Sequence, residues 1–244
     1  MQHRDDRTCV SCDGTVAPDG HCWDCGKAQP AFRSHLELAI EQGAAGVSDR
    51  GKRRGVNADA MALTTSGPWT IGVVCDGVSM SPRAERAAQL AAETGTTILT
   101  TRLQAGALPE TAHVDAAMGA ARAVAALATS VNAAPACTYV AGIAGPDGIW
   151  SCSVGDSRAY WLPDEGPGMP LTEDDVGRHE ALAGWLGADA GEPTQRDRPA
   201  HPGSGKFFVE PGTTPAARWL HLLMARPSTR TERPSHEVAA GQAP

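Results

Sequence analysis

A short apolar run at residues 71–75, Ile-Gly-Val-Val-Cys, leads directly into Asp76 and Gly77. Such a run of mostly β-forming residues predicts a buried strand. An Asp-Gly pair at its end would deliver one carboxylate and one bare backbone carbonyl to a polar site. Asp-Gly is also a common turn signal, so the pattern taken alone favours a strand that ends in an ordinary turn.

Two later stretches carry apolar residues at helical spacing. Ser81 and Pro82 predict the start of the first helix, with a hydroxyl cap and a proline at its first position, and Pro109 predicts the start of the second. His113, beside the second apolar stripe, is expected to be partly exposed or a core histidine with satisfied hydrogen bonds. The stripes predict packing against a sheet and consist of Ala87, Leu90, Ala91, Thr94 and Ile98 in the first helix, and Val114, Ala117, Met118, Ala121, Val124, Ala125 and Ala128 in the second.

Further strands form a meander. Residues 139–143 and 149–154 flank a Gly-Pro-Asp-Gly turn and predict a hairpin, and residues 155–158 interrupt it before a strand at 159–162. Helices in pairs and strands in meanders predict a layered α+β fold. The cysteines of this region are expected to be small core residues: Cys75, Cys137 and Cys152.

The N-terminal region contains two Cys-x-x-Cys knuckles, Cys9 with Cys12 and Cys22 with Cys25, separated by residues suited to tight turns. Four thiolates at this spacing can close a tetrahedron around zinc, and Gly26 lets the backbone curl toward the sulfurs. Redox pairs or disulfides are the alternative, but the βαβ and secretory contexts that they would need are missing. With so little apolar core, the module would draw its folding free energy from the metal.

The composition and charge of the chain limit the classes of partner that it is expected to bind. The chain has 244 residues and is 41% hydrophobic, enough for one sizeable core and a small appendage. A formal charge of -7 argues against broad nucleic-acid binding and against attachment to anionic membranes. Residues 1–30 are themselves more acidic than basic, which favours a structural or protein-contact role for the knuckles. No long apolar run or signal-peptide pattern is present, so a cytoplasmic protein is expected.

Three motifs carry a family resemblance. The first motif is Ser-Asp-Arg-Gly at 48–51, followed by Arg54, Asn57 and Asp59. The second is Val-Val-Cys-Asp-Gly-Val-Ser at 73–79. The third combines Cys-Thr-Tyr-Val at 137–140 with Ser-Val-Gly-Asp-Ser-Arg-Ala-Tyr at 153–160. Together they resemble the signatures of the metal-dependent protein phosphatases, the PPM or protein phosphatase 2C-like family. The resemblance implies a central β-sandwich flanked by helices and spans residues 46–187.

The resemblance also implies a chemistry. The family hydrolyses phosphoserine and phosphothreonine by attack of water activated between two divalent cations, Mn²⁺ or Mg²⁺. Asp76 would bridge both ions, the Gly77 carbonyl would be a further ligand, and Asp59 would reach a metal directly or through water. Arg54 would hold the substrate phosphate. Without the resemblance, Arg54 would be interpreted as a solvent-exposed member of the basic run Lys52-Arg53-Arg54. Asp156 would lie near the metals, or would equally serve as a structural residue that pairs with Arg158 or caps the turn.

The chain also departs from the family pattern. Residue 58 is alanine where the family usually has glutamate, and only seven residues, 176–182, stand where the family has a longer flap. The family adds metal carboxylates from a second Asp-Gly and an Asp-Asn pair, but here no aspartate follows Asp197. Residues 219–224 resemble the strand that should precede that Asp-Gly. Half of the expected ligands are therefore missing, which should weaken metal binding.

These features predict three parts: a zinc-ribbon-like module at 1–30, a phosphatase-like domain at 31–192 that lacks its C-terminal part, and a proline-rich tail at 193–244 that is largely disordered. A frameshift or truncation near residues 190–215 would explain the loss. Two functions compete. One is a metal-dependent protein serine/threonine phosphatase acting on a phosphoprotein; the other is a catalytically impaired pseudo-phosphatase that binds a phosphoprotein, or a partner through the zinc ribbon. A nucleic-acid-binding ribbon is a third, disfavoured by charge.

Overall fold

The computed structural model describes residues 8–17, 20–29, 34–40, 44–50, 56–130, 133–162, 167–177, 181–190, 205–207 and 219–223. Only the backbone is described for the last two ranges. Within these ranges the chain forms two helices, α1 (Ala84–Gln104) and α2 (Pro109–Ala125). The strands are β1 (His35–Ile40), β2 (Ala44–Asp49), β3 (Asp59–Ser66), β4 (Trp69–Asp76), β5 (Ala136–Cys137), β6 (Tyr139–Gly145), β7 (Gly148–Val154), β8 (Arg158–Leu162), β9 (Met169–Pro170), β10 (Leu186–Gly187), β11 (Gly205–Phe207) and β12 (Trp219–Leu223).

All strand pairs are antiparallel, and the largest sheet has the order β11-β7-β6-β4-β3. A second sheet has the order β12-β8-β9, while β1 pairs with β2 and β10 with β5. The predicted hairpin at 139–154 is confirmed as β6 and β7, and the predicted strand at 71–75 is confirmed as the middle of β4. The hairpin β1–β2 carries an alternating burial pattern that the motifs did not reveal.

Both faces of β4 are covered, which explains its unbroken apolar run. Ile71, Val73 and Cys75 are fully buried and pack with the alanines of α1 and α2. Val74 turns to the opposite face and packs in a second cluster with Ala159 of β8. The main sheet is thus sandwiched between the helices and the smaller sheet, so the layered α+β prediction is confirmed. The three cysteines of this domain have no exposed surface, as expected.

The start of α1 differs from the prediction. The helix begins at Ala84 after Arg83, which adopts a left-handed conformation (φ 54°) and provides no side-chain cap. The Ser81 hydroxyl instead donates to the Val78 carbonyl at 3.0 Å and accepts from the Ala136 backbone N–H at 3.0 Å. Ser81 therefore ties the loop after β4 to β5 rather than capping the helix.

The buried helix faces are also rotated relative to the predicted stripes. In α2, Val114 and Met118 are 39% and 54% exposed, because alanines and His113 occupy the side that faces the core. Small side chains allow the two helices to approach each other and the sheet closely. The buried residues are Ala84, Ala87, Ala88, Ala91, Ala92, Gly95, Leu99 and Leu103 in α1, and Pro109, Ala112, His113, Ala116, Ala117, Ala120 and Val124 in α2.

His113 is a core residue with 1% exposure, the second of the two predicted alternatives, but neither ring nitrogen forms a hydrogen bond of ordinary geometry with a described residue. Burial lowers its pKa to about 4, although the Trp150 backbone and the Glu110 charge favour the protonated form. The ring is therefore neutral at pH 7 and packs as an apolar group.

His113 should make the fold sensitive to acid. Its folded-state pKa of about 4 lies below the ordinary value of 6.5, so the unfolded chain binds more protons between these two values. The free energy of unfolding should therefore rise with pH across that window, and the shift corresponds to about 3 kcal/mol lost by pH 4. Denaturant titrations of wild type and His113→Leu at several pH values would measure this, because the variant lacks the titrating ring. Parallel pH profiles for the two proteins would contradict the assignment.

No helix in the described ranges is long and apolar enough to cross a lipid bilayer. Most of residues 193–244 lie outside those ranges. The exceptions are the backbones of β11 and β12, which add a strand to each of the two larger sheets. The predicted strand at 219–224 therefore corresponds to β12.

Candidate active site and metal centres

Two aspartates face each other where β3 begins and β4 ends. Asp59 is the first residue of β3 and Asp76 the last of β4, and the strand register pairs them directly. Residues directly opposite in an antiparallel pair have their Cβ atoms about 4.5–5.5 Å apart, and two like charges in that arrangement repel. The sheet therefore holds two carboxylates together at one edge, an arrangement that a cation would stabilise.

Hydrogen bonds fix the backbone at both aspartates. The Asp76 N–H donates to Thr138 Oγ1 at 3.1 Å, and the Asp76 carbonyl accepts from the Thr138 N–H at 2.8 Å. Thr138 in turn lies 2.6 Å from the Ser157 hydroxyl. On the other strand, the Asp59 N–H donates to Asn57 Oδ1 at 3.2 Å, and the buried Asn57 amide donates to Ser48 Oγ at 2.9 Å. The first and third sequence motifs thus hold the ends of β3 and β4 in place.

Gly77 allows the chain to leave β4 between two other backbones. Its N–H donates to the Ala58 carbonyl at 3.1 Å, and it forms an isolated β-bridge with Cys137. A Cβ atom at this position would lie 2.7 Å from the Ala58 oxygen and 2.8 Å from the Ala84 oxygen. Both are main-chain atoms that no side-chain rotation can move, so the turn requires glycine.

Gly77→Ala should therefore destabilise the fold, by about 1–3 kcal/mol as for other overpacked sites. Gly177→Ala is the matched control, because a Cβ there meets its nearest atom at 3.7 Å. Thermal unfolding of both variants would measure the difference. If the two variants melted at the same temperature, the close packing around Gly77 would be refuted.

The two aspartates line a cleft of about 170 Å³. Its walls also carry the carboxylate of Glu85, from the first turn of α1, and the guanidinium of Arg50, which follows β2. Residue 58, where the family usually has glutamate, contributes only an alanine to the lining. Among the described residues, the lining thus contains three carboxylates and one arginine. This setting favours binding of positively charged ligands, and of phosphate groups that are accompanied by cations.

Asp156 belongs to the same neighbourhood. Partial burial raises the pKa of its carboxyl group, and the negative charges of Asp76 and Asp174 raise it further, whereas its own backbone N–H and Arg158 act in the opposite direction. The expected alternative of an Asp156–Arg158 pair is not the main arrangement, since Arg158 Nε donates to Asp174 at 2.7 Å. The pKa of Asp156 therefore depends on the charge at Asp76.

Two other predicted features fall at the margin of the described chain. Arg54, predicted to hold the substrate phosphate, lies outside the described residues. The end of β12 lies beside the third motif, because Leu223 pairs with Arg158 two residues after Asp156. The sequence that follows β12 is Met-Ala-Arg-Pro and contains no aspartate.

The four N-terminal cysteines converge on one point. Their Sγ atoms all lie within 4.8 Å of one another, with Cys9 and Cys25 at 3.7 Å and Cys12 and Cys22 at 3.4 Å. Gly26 has φ +69°, the left-handed conformation expected for the turn after the second knuckle. The cluster has the ligand number and type of a structural zinc site.

Backbone and side-chain donors surround these sulfurs. The Ser11 N–H donates to Cys9 at 3.3 Å, the Asp24 N–H donates to Cys22 at 3.4 Å, and the Gln29 amide donates to Cys9 at 3.3 Å. Burial raises the pKa of the Cys9 thiol, but hydrogen bonds from the backbone and from neighbouring cysteines outweigh it and lower the pKa to about 6. Donors of this kind stabilise the thiolate that a metal needs.

Among the described residues, these cysteines form the one group of three or more potential ligands drawn together in this way. Asp59, Asp76 and Asp156 share a region of the molecule but do not form an equally tight cluster. The two candidate metal centres therefore differ: one is closed and sulfur-lined, the other open and built from carboxylates.

Residues 49–195 match the family model for protein phosphatase 2C. The chain belongs to the protein phosphatase 2C family. The match covers more than half of the chain and contains Asp59, Asp76 and Asp156, so the family assignment made from the three motifs is confirmed. The N-terminal cysteine cluster lies outside the matched region of this protein phosphatase 2C chain.

Several solved structures are similar to this protein phosphatase 2C chain. A serine/threonine phosphatase from Staphylococcus aureus is 18% identical with a TM-score of 0.49, over 58% of this chain and 65% of that one. The phosphatase PstP/Ppp from Mycobacterium tuberculosis is 25% identical with a TM-score of 0.42, over 53% of both chains. A stage II sporulation E family protein from Thermanaerovibrio acidaminovorans is 24% identical with a TM-score of 0.44, over 53% of this chain and 68% of that one.

The chain thus spans between about half and two thirds of the length of these structures. A search of curated protein sequences finds no match.

Some residues of the protein phosphatase 2C site carry no sequence signal of their own. Glu85 reads as an ordinary acidic residue in a first helical turn, and only the fold brings it to the cleft. Thr138 and Ser157 stand inside the third motif, but their mutual hydrogen bond joins residues 19 positions apart. Their supporting role follows from the sheet register, which the sequence pattern does not specify.

Proposed function

We propose that this chain hydrolyses phosphoserine or phosphothreonine in a phosphoprotein, using divalent cations held at the cleft of Asp59 and Asp76. The observation that carries the proposal is the direct pairing of these two carboxylates at the edge of the main sheet, inside the region that matches the family. The reaction would convert the phosphate ester and water into a free hydroxyl side chain and inorganic phosphate.

The donor set fits Mn²⁺ or Mg²⁺, since both prefer oxygen ligands and often retain water in their coordination shell. Asp76 and Asp59 would hold the ions, with the Gly77 carbonyl and Asp156 as further donors. When bound, the ions would activate water and neutralise the charge of the phosphoryl group.

The chain's own residues would orient the substrate. Arg54 would grip the phosphate through two parallel hydrogen bonds, a geometry that a planar guanidinium favours. Arg50 lines the cleft and would add positive charge at its wall. The two hydrogen bonds between Thr138 and the Asp76 backbone would hold the residue that carries this carboxylate in place as the substrate binds.

A pseudo-phosphatase is the second candidate. It is favoured by Ala58 in the cleft lining and by the sequence Met-Ala-Arg-Pro at 224–227, which follows β12 and supplies no carboxylate. Fewer carboxylates should weaken cation binding while leaving a phosphate-binding arginine in place. Such a protein would bind a phosphopeptide without hydrolysing it.

Calorimetry combined with phosphate release separates the two candidates. A phosphothreonine peptide would be titrated into the full chain with and without Mn²⁺, using the unphosphorylated peptide as control. The phosphatase proposal expects Mn²⁺-dependent release of inorganic phosphate. Phosphate-dependent binding with no release at any Mn²⁺ concentration would instead establish the pseudo-phosphatase.

The knuckles would form a separate structural zinc module at residues 1–30, next to a phosphatase domain at 31–192 and a tail at 193–244. A reducing compartment such as the cytoplasm would keep the four thiols available for the metal. The module would serve protein contacts rather than nucleic acid, because its residues are more acidic than basic.

A further inference from the structure

One contact joins the zinc-ribbon-like module to the cleft. The module, defined here as the described residues 8–29, places His21 Nδ1 at 3.6 Å from a carboxylate oxygen of Glu85. His21 is held in the module by a β-bridge to Ala28 and directly precedes the zinc-ligand candidate Cys22. Glu85 lies in the first turn of α1 and lines the same cleft as Asp59 and Asp76.

Glu85 is largely buried, so its contact with His21 is shielded from solvent. Its side chain is 14% exposed, and the oxygen that faces His21 is buried. The separation of 3.6 Å is longer than a direct hydrogen bond and is within the range of an electrostatic contact between an imidazole and a carboxylate. A carboxylate removed from water loses hydration free energy, which a nearby cationic or donor group restores in part. The histidine of the module supplies that group from outside the phosphatase domain.

We propose that the zinc-ribbon-like module docks on the rim of the carboxylate cleft through His21 and Glu85, so that zinc binding in the module and the state of the cleft are coupled. Without zinc, a module with this little apolar core would unfold and His21 would leave Glu85. With zinc, the folded module would keep His21 beside Glu85, one of the residues that line the cleft. The consequence for catalysis, a zinc-dependent entrance for phosphoprotein substrates, rests on the proposed function.

Coupling of this kind is reciprocal, so a substitution in α1 should change the zinc affinity of the module. If docking stabilises the folded module, then removing its partner on α1 must weaken zinc binding to cysteines that lie 60 to 76 positions earlier in the sequence. A contact that contributes nothing would leave zinc affinity unchanged. Glu85 can also be stabilised by the amino end of α1 alone, and in that case its replacement would affect the helix but not the zinc.

The experiment measures zinc affinity by chelator competition on the full chain without Mn²⁺. Glu85→Lys should weaken zinc binding by about 3- to 10-fold, given the usual strength of single ion pairs and the added repulsion. Glu93→Gln is the control, because this exposed glutamate lies two turns further along α1 and should leave zinc affinity unchanged. Glu85→Gln is the milder second variant, and circular dichroism establishes that each variant remains folded.

A charge exchange completes the test. The double variant His21→Glu with Glu85→Lys should recover zinc affinity to within about twofold of wild type, because the two positions would again carry side chains that attract each other. Equal zinc affinity in wild type, Glu85→Gln and Glu85→Lys would overturn the proposal, as would strictly additive effects in the double variant. The experiment measures zinc affinity and not turnover. It therefore tests the coupling even if the chain has no phosphatase activity, and it would also detect an active phosphatase in which the coupling is absent.

Discussion

Asp76→Asn should abolish Mn²⁺-dependent phosphate release, with a rate reduced by more than about 100-fold. Loss of residues that merely support a metal ligand already costs about 10- to 100-fold, and Asp76 is proposed to be the ligand itself. The side-chain shape is retained, and the substitution removes a charge directly opposite Asp59. The variant should therefore be at least as stable as wild type in the absence of metal, because a repulsion between like charges is relieved.

The matched control is Asp147→Asn. Asp147 is exposed in the turn between β6 and β7, and the strand register places this turn at the end of the main sheet opposite to Asp76. It carries the same chemical change without touching the cleft, so its phosphate release should equal that of wild type. An Asp76→Asn variant that retained wild-type activity would exclude the proposed bridging role.

Cys22→Ser should release the zinc and unfold the N-terminal module. Zinc binding supplies about 10–16 kcal/mol in comparable small zinc modules, far more than the small apolar cluster of this one, formed by Cys9, Val16 and Cys22, can provide. Zinc content measured by a chromogenic chelator should fall from one ion per chain to none. Limited proteolysis should then cut within residues 8–29 in the variant but not in zinc-loaded wild type.

Cys152→Ala is the appropriate control for that experiment. Cys152 is fully buried in β7, and burial raises its pKa to about 12, so it is a packing residue without thiolate character. This variant should lose some stability in the phosphatase domain yet keep one zinc per chain. Zinc retained by Cys22→Ser at wild-type affinity would contradict a four-cysteine site.

The sequence pattern predicts the parts of the fold in which local and long-range preferences agree. The run at 71–75 is apolar throughout because both faces of β4 are buried, and its strand was therefore predictable. The β6–β7 hairpin follows from its turn residues. The four cysteines could be assigned to one site because their spacing itself restricts the geometry.

The predictions that failed depend on tertiary contacts. The predicted stripe of α2 is only partly buried: Ala117 and Val124 lie in the core as predicted, whereas Val114 and Met118 are exposed. Alanines and His113 face the core in their place, because the helices pack closely. The cap expected at Ser81 was wrong because the Ser81 hydroxyl is bonded to the loop and to β5. Glu85 could not be placed in the cleft from sequence, since its position depends on how α1 packs against the end of β4.

The most direct test of the central claim is phosphate release from a phosphothreonine peptide by the zinc-loaded full chain, measured with and without Mn²⁺. Release should require Mn²⁺, saturate with the ion and disappear in Asp76→Asn but not in Asp147→Asn. Release that is equal with and without Mn²⁺, or that is absent from wild type and Asp76→Asn alike, would contradict the assignment of the Asp59–Asp76 cleft as a working metal-dependent phosphatase site.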